Sequence, residues 1–117
     1  MNEEKRRLAG ILAVDVVGYS AMVAADEPAA LARVRALRTE IVEPLAAGHG
    51  GRVFKTMGDG FLLEFASAVQ ALRCALAIQE TLRTRAEGVL LRIGVHQGEV
   101  VPEGDDLFGD GDRKSVV

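Results

Sequence analysis

The sequence predicts an α+β fold, a ferredoxin-like βαββαβ sandwich. Strand-like apolar runs and two helical segments follow each other in the order strand, helix, strand, strand, helix, strand, which is typical of this fold. A Gly-Asp-Gly turn joins the two middle strands and indicates an antiparallel hairpin. We therefore expect a mostly antiparallel sheet with both helices on one face. The other face then needs a cover, and a partner domain is an obvious candidate.

Composition sets broad limits on function. The 117 residues are 49% hydrophobic and 26% charged, which suits one soluble globular domain. The net charge of −3 gives no reason to expect nucleic-acid binding, because that function usually needs a clustered basic face. A single cysteine, Cys74, allows no intrachain disulfide and suits a reducing compartment. No signal peptide or membrane segment is evident, so we expect a cytoplasmic protein, although a longer parent could be membrane-tethered.

The first half of the chain predicts one strand and one long helix. Residues Leu8–Val17 form an apolar run that contains one charge, Asp15, as a buried strand would. A short helical piece is expected around 21–25. Asp26 suits the N-cap of the following helix, and Pro28 suits its first turn. Glycines at 48, 50 and 51 end this helix. Its expected apolar face is Leu31, Val34, Leu37, Ile41 and Leu45.

The second half begins with the hairpin. Residues 52–56 and 61–65 are short β-like runs around Gly58-Asp59-Gly60, where Asp-Gly favours a tight turn. Ser67 and Gln70 then form a capping-box pattern at the start of a helix. The expected apolar positions of that helix are Ala68, Ala71, Leu72, Ala75, Leu76, Ile78 and Leu82.

The last predicted strand covers 89–95. Its Val, Leu and Ile residues are typical of a buried strand. From Gly98 onward we expect a turn-rich segment.

Asp15 and Asp59 are the residues whose context points to chemistry. An ionised carboxylate in an apolar strand is costly unless it is paired or binds a metal. The first strand and the hairpin are neighbours in a βαββαβ sheet, so the two side chains are expected to converge. Two carboxylates with phosphate oxygens make a typical magnesium site. Taken singly, Asp15 is better explained as a strand-end cap and Asp59 as a turn residue. Taken together, the two aspartates are better explained as a metal site.

Two further features are weaker. The turn at Gly18, Tyr19 and Ser20 lies between a strand and a helix, where backbone N–H groups can bind phosphate. Such turns need glycine anyway. Lys55 precedes Asp59 by four residues, and from spacing alone it is best read as an exposed cation.

Three segments together resemble the catalytic domain of class III adenylate and guanylate cyclases. They are Ile11–Ser20, Phe54–Gly60 and Arg92–Val100, and they occur in the family's order. The resemblance runs from about Arg6 to Gly111. It implies a polar lead over 1–7 and a partial cyclase domain over 8–111.

The resemblance implies roles for individual residues. Asp15, Asp59 and the backbone carbonyl of Val16 match the ligands of two Mg²⁺ or Mn²⁺ ions in each active site. Those ions activate the ribose 3′-hydroxyl for attack on the α-phosphate. The backbone at Gly18, Tyr19 and Ser20 matches the phosphate-contacting turn.

The resemblance also implies a substrate and a partner. Lys55 and Asp106 match the adenine-reading pair and favour ATP over GTP. In this family one domain supplies the metal ligands and another supplies the purine-reading pair. Since this chain carries both sets, we expect a homodimer with shared sites that makes cyclic AMP for intracellular signalling.

The end of the chain departs from the family pattern. Residues 112–117 stand where a helix with an asparagine and an arginine is expected, and both transition-state residues are missing. Arg113 is not assigned that role, so no catalytic side chain is assigned. The segment reads like a translated DNA-sequencing adapter, so we expect a non-native tail, a chain cut at its C-terminus, and little or no cyclase activity.

The sequence is also compatible in part with other functions. The separation of Asp15 and Asp59 superficially suits a phospho-accepting receiver domain, which would have a parallel sheet. A non-catalytic nucleotide-binding or dimerisation module of cyclase type and a guanylate cyclase stay open. A diguanylate cyclase is disfavoured because its Gly-Gly-acidic-acidic-Phe signature is absent from the sequence.

Overall fold

The computed structural model describes residues 7–85, 88–101, 106–107 and 113–116. The strands are β1 (Arg7–Val16), β2 (Arg52–Met57), β3 (Gly60–Phe65), β4 (Leu91–Val101), β5 (Asp106–Leu107) and β6 (Arg113–Val116). The helices are α1 (Tyr19–Ala25), α2 (Glu27–Leu37), a π-helical segment (Arg38–Val42), α3 (Glu43–Gly48) and α4 (Ala68–Arg85).

The sheet has the strand order β2-β3-β1-β4-β5, and β6 also pairs with β4. Every pairing is antiparallel. The central order β2-β3-β1-β4 follows from two β-α-β units that interleave, so the predicted ferredoxin-like fold is confirmed. The receiver-domain alternative is wrong, because it requires a parallel sheet.

The first long helix begins as predicted and then departs from regularity. The Asp26 carboxylate accepts a hydrogen bond from the Ala29 N–H at 3.1 Å, so Asp26 is the N-cap. The helix widens into the π-helical segment just before Pro44. Pro44 has no N–H, and in a regular helix its ring would clash with the carbonyl of Glu40; the wider turn relieves this clash.

The second long helix, α4, packs a narrow face on the sheet. Ser67 Oγ accepts a hydrogen bond from the Gln70 N–H at 3.2 Å, which confirms the predicted cap. The buried positions are Ala71, Cys74, Ala75, Ile78 and Leu82.

Three leucines predicted to join helical apolar faces do not. Leu31, Leu72 and Leu76 are 46%, 40% and 53% exposed. Leu72 follows Ala71, about 100° around the helix axis, which takes it out of the narrow contact face. In α2 the neighbouring Ala30 is buried in place of Leu31.

Two strand boundaries also differ from prediction. Met57 pairs with Gly60, so the two-residue turn is Gly58-Asp59, with Gly58 at a φ of 54°. Gly58 takes the left-handed conformation that the turn requires, so the turn lies one residue earlier than the predicted Asp59-Gly60. The turn-rich segment predicted from Gly98 is wrong at its start, because β1 extends back to Arg7 and pairs with β4 as far as Val100.

The two faces of the sheet differ. On β1 the even-numbered residues Leu12, Val14 and Val16 are buried in the main core, together with residues of α2, α3 and α4. This is the helix face. Ala13 and Asp15 point to the opposite side, which we call the second face. No helix in the described part of the chain is long and apolar enough to cross a membrane.

Candidate functional site

Asp15 emerges on the second face at the end of β1. It lies opposite Gly60 of β3 on one side and Arg92 of β4 on the other. Its neighbours Val14 and Val16 are each 3% exposed, while the Asp15 side chain is 42% exposed. The strand therefore holds the backbone rigidly through its valines and presents one carboxylate to solvent.

Asp59 is held beside the end of β1 by the hairpin turn. The Val16 N–H donates a hydrogen bond to the Asp59 carbonyl oxygen at 3.2 Å, which ties the turn to the strand. Asp15 and Asp59 line the same cleft, whose volume is about 530 Å³. The structure thus brings the two predicted aspartates to one site.

Small residues keep the cleft open. A Cβ at Gly60 would lie 2.9 Å from the Val14 carbonyl oxygen and 3.8 Å from Asp15 Oδ1. A side chain here would therefore collide with β1 and fill the space beside the carboxylate. Ala13 and Gly94 line the same cleft from β1 and β4.

Arg92 is a site residue that the sequence reasoning missed. Its Nη2 donates to Asp15 Oδ2 at 3.0 Å, and its side chain is 65% exposed. An exposed pair of this kind contributes about 0–1 kcal/mol, so it adds little to stability. The available signal was that Arg92 is the one charged residue in the predicted strand 89–95.

The predicted phosphate-contacting turn lies at the same end of the sheet. It follows β1 directly, with Gly18 at a φ of 77° immediately before α1. Tyr19 packs against the main core, whereas Ser20 is exposed. The Val17 N–H donates to the Leu90 carbonyl oxygen at 2.9 Å and anchors the start of the turn.

The predicted purine-reading pair is not brought together within one chain. Lys55 is exposed on β2, opposite Leu62. The backbone of Asp106 lies on β5, opposite Val101. These strands are at opposite ends of the order β2-β3-β1-β4-β5.

The donor set suits a hard divalent cation. Among the described residues, no group of three or more His, Cys, Asp or Glu side chains is placed to hold a metal ion. Mg²⁺ commonly uses one or two carboxylates, with water and substrate phosphates supplying the other oxygens. Asp15 and Asp59 in one cleft therefore fit Mg²⁺ or Mn²⁺, whereas typical zinc sites include His or Cys ligands.

Known proteins share this sequence and fold. A sequence model of the adenylate and guanylate cyclase catalytic domain matches residues 1–110. The chain is 45% identical over 113 residues to a Rhizobium meliloti protein named putative adenylate cyclase 3, with 92% of this chain and 19% of that protein aligned. It is 35% identical over 105 residues to an adenylate cyclase of Streptomyces coelicolor, covering 89% of this chain and 27% of that protein.

A solved structure agrees. The adenylate/guanylate cyclase/hydrolase of Silicibacter pomeroyi superposes with a TM-score of 0.80 at 42% identity, over 92% of this chain and 66% of that one. The chain thus spans about a fifth to a quarter of the length of the two curated relatives described above.

Proposed function

Because the chain belongs to the class III adenylate and guanylate cyclase catalytic-domain family, we propose that it is the catalytic domain of an adenylate cyclase. The reaction converts ATP into 3′,5′-cyclic AMP and pyrophosphate for signalling inside the cell. The observation that carries this proposal is the single cleft lined by Asp15, Asp59 and Arg92. The choice of ATP draws support from the names of the Rhizobium and Streptomyces relatives.

The metal site in this proposal consists of Asp15, Asp59 and the backbone carbonyl of Val16. These oxygens would hold two Mg²⁺ or Mn²⁺ ions. When bound, the ions supply Lewis acidity to the phosphate oxygens and favour ionisation of the ribose 3′-hydroxyl. A bond then forms between the 3′-oxygen and the α-phosphorus as the hydroxyl proton passes to solvent, the bond from the α-phosphorus to the oxygen shared with the β-phosphate breaks, and pyrophosphate leaves.

The chain's own groups bind and orient the triphosphate. The net charge of −3 means that the polyanion needs local compensation. Arg92 is a cation at the cleft, and a guanidinium suits phosphate oxygens because its N–H groups form a planar fork. The backbone at Gly18, Tyr19 and Ser20 adds N–H donors at the same end of the sheet.

Purine recognition rests on Lys55 in this proposal. Its side chain is exposed on the edge strand β2, where it is available to a nucleotide held by a second copy of the chain. Asp106 stays a prediction from the family resemblance, since its backbone lies at the opposite edge of the sheet. The proposed assembly is a homodimer with shared sites.

The test is a cyclase assay with Mn²⁺ on this domain completed at its C-terminus with the following segment of the Silicibacter relative. ATP should give cyclic AMP, and Asp59→Asn should abolish it. Asp26→Asn is the matched control: Asp26 is an exposed N-cap, and asparagine caps equally well. The 117-residue chain, without the family's asparagine and arginine, should give little product.

The outcomes separate the alternatives. A preference for GTP would replace this proposal with a guanylate cyclase. A folded dimer that is silent with both nucleotides would favour the non-catalytic binding module. Activity in Asp59→Asn equal to the unmodified domain would refute the metal role of that residue.

A further inference from the structure

The ion pair between Arg92 and Asp15 lies in the proposed metal site itself. In the two ladders of β1, the residues opposite Asp15 are Arg92 and Gly60. Gly60 has no side chain, so Arg92 is the side chain that the sheet holds directly across from the carboxylate. Cβ atoms of such cross-strand partners lie about 4.5–5.5 Å apart, which keeps the guanidinium within reach of Asp15.

The arginine and a metal ion compete for the Asp15 carboxylate. Arg92 Nη2 donates to Asp15 Oδ2 at 3.0 Å. Asp15 Oδ1 lies on the Gly60 side, 3.8 Å from where a Cβ of that residue would stand. A cation that enters the cleft can bind Oδ1 first. Coordination through both carboxylate oxygens requires the Arg92 guanidinium to leave Oδ2. Two cations beside one carboxylate also repel each other.

Asp59 offers a contrast within the same cleft. Its side chain forms no hydrogen bond or ion pair among the described residues. One aspartate of the site therefore carries a resident cation, whereas the other is available to a metal ion at once.

We propose that Arg92 is a resident counter-ion of Asp15 that competes with the divalent cation, so that metal loading and release of the arginine are one exchange. This inference rests on the proposed function and adds a control step to the same site. Metal loading would free a guanidinium at the cleft as the polyanionic substrate enters. A domain without metal would keep its carboxylate neutralised.

The exposure of the Arg92–Asp15 pair limits the expected change in Mn²⁺ affinity. Both partners are substantially exposed, at 65% and 42%, so solvent and salt screen the pair. Removing the arginine should therefore tighten Mn²⁺ binding by about 2- to 10-fold, the range expected of an exposed pair plus local repulsion. Added salt should narrow the difference.

The experiment is a Mn²⁺ titration of the nucleotide-free 117-residue chain, with the free ion counted by electron paramagnetic resonance. Arg92→Gln should bind Mn²⁺ more tightly than the unmodified chain. Arg83→Gln is the matched control, because Arg83 also forms an exposed pair with a carboxylate, Glu80 on α4. It should bind Mn²⁺ as the unmodified chain does. Circular dichroism checks that each variant is folded.

Equal or weaker Mn²⁺ binding in Arg92→Gln would overturn the exchange, and so would an equal gain in Arg83→Gln. Asp15→Asn separates this failure from that of the proposed function. If Asp15→Asn binds Mn²⁺ as tightly as the unmodified chain does, the proposed metal site at Asp15 is refuted. A second measurement follows the Arg92 Nε resonance during Mg²⁺ titration; a resonance that does not shift at saturation would also overturn the proposal.

Discussion

The two faces of the sheet carry different tasks. The helix face is apolar and closed: Leu12 and Val14 on β1 are 0% and 3% exposed beneath the helices. The second face carries Ala13 and the charged Asp15, and it opens into the cleft. In the proposed function, β1 thus contributes to the main core through Leu12, Val14 and Val16 and to the metal site through Asp15, while Ala9 and Ile11 form a separate buried pair farther from the cleft. The period of two in a β-strand makes this division possible.

Asp15→Asn should separate the two tasks most completely. In the completed domain we expect cyclic AMP formation to fall by at least about 100-fold, because losing one ligand weakens the hold on metal ions worth several kcal/mol of transition-state stabilisation. The free energy of unfolding should change by less than about 1 kcal/mol, since the lost ion pair is exposed. Assays and urea denaturation measure the two effects.

A loss of stability in Asp15→Asn as large as a core truncation would contradict the division between the faces. The matched control is again Asp26→Asn, which removes one exposed carboxylate on the helix side of the molecule. It should leave both the activity and the unfolding midpoint close to those of the unmodified domain.

The sequence predicts some residues of the two sheet faces and not others. The apolar run around Asp15 and the Gly58-Asp59-Gly60 segment are local patterns, so the strand, the hairpin and the convergence of the two aspartates could be predicted, although the turn lies one residue earlier than expected. Arg92 was not, because its contact with Asp15 joins residues 77 positions apart and depends on the register of β1 against β4. Register is a property of the assembled sheet.

The prediction of the helix faces was partly wrong for a related reason. Leu72 and Leu76 fit a broad apolar stripe in the sequence, but the width of a contact face depends on how closely the helix approaches the sheet. Ala71 and Ala75 are both 0% exposed and form part of a narrow contact strip on α4. The leucines beside that strip then stay exposed.

Gly10 and Gly94 offer a stability test of the same comparison. A Cβ at Gly10 would lie 2.2 Å from the Ser67 carbonyl oxygen, on the helix face. A Cβ at Gly94 would meet His96 Nε2 at 3.5 Å, an ordinary contact on the second face. Gly10→Ala should therefore lower the free energy of unfolding by about 1–3 kcal/mol. Gly94→Ala should change it by less than about 1 kcal/mol.

Urea denaturation of both glycine variants provides the measurement. At this chain length, the Gly10→Ala change corresponds to a fall in Tm of at least about 4 °C. Equal effects at the two positions would show that the faces are packed alike and would remove the basis of the comparison.

Cys74 gives the smallest effect and reports on the helix face alone. Its side chain is 0% exposed in α4, and burial raises the pKa of the Cys74 thiol to about 11. Near pH 8 the folded chain should hold roughly a hundredth or less of the thiolate present in the unfolded chain, where the pKa is about 8.5. Because the thiolate is the reactive form, labelling by a thiol reagent should be slow and should follow unfolding.

Gly10→Ala should speed this labelling and Asp15→Asn should not, since the first variant loosens the start of α4 and the second changes only the second face. Rapid labelling of the unmodified chain would mean that the helix face opens without global unfolding.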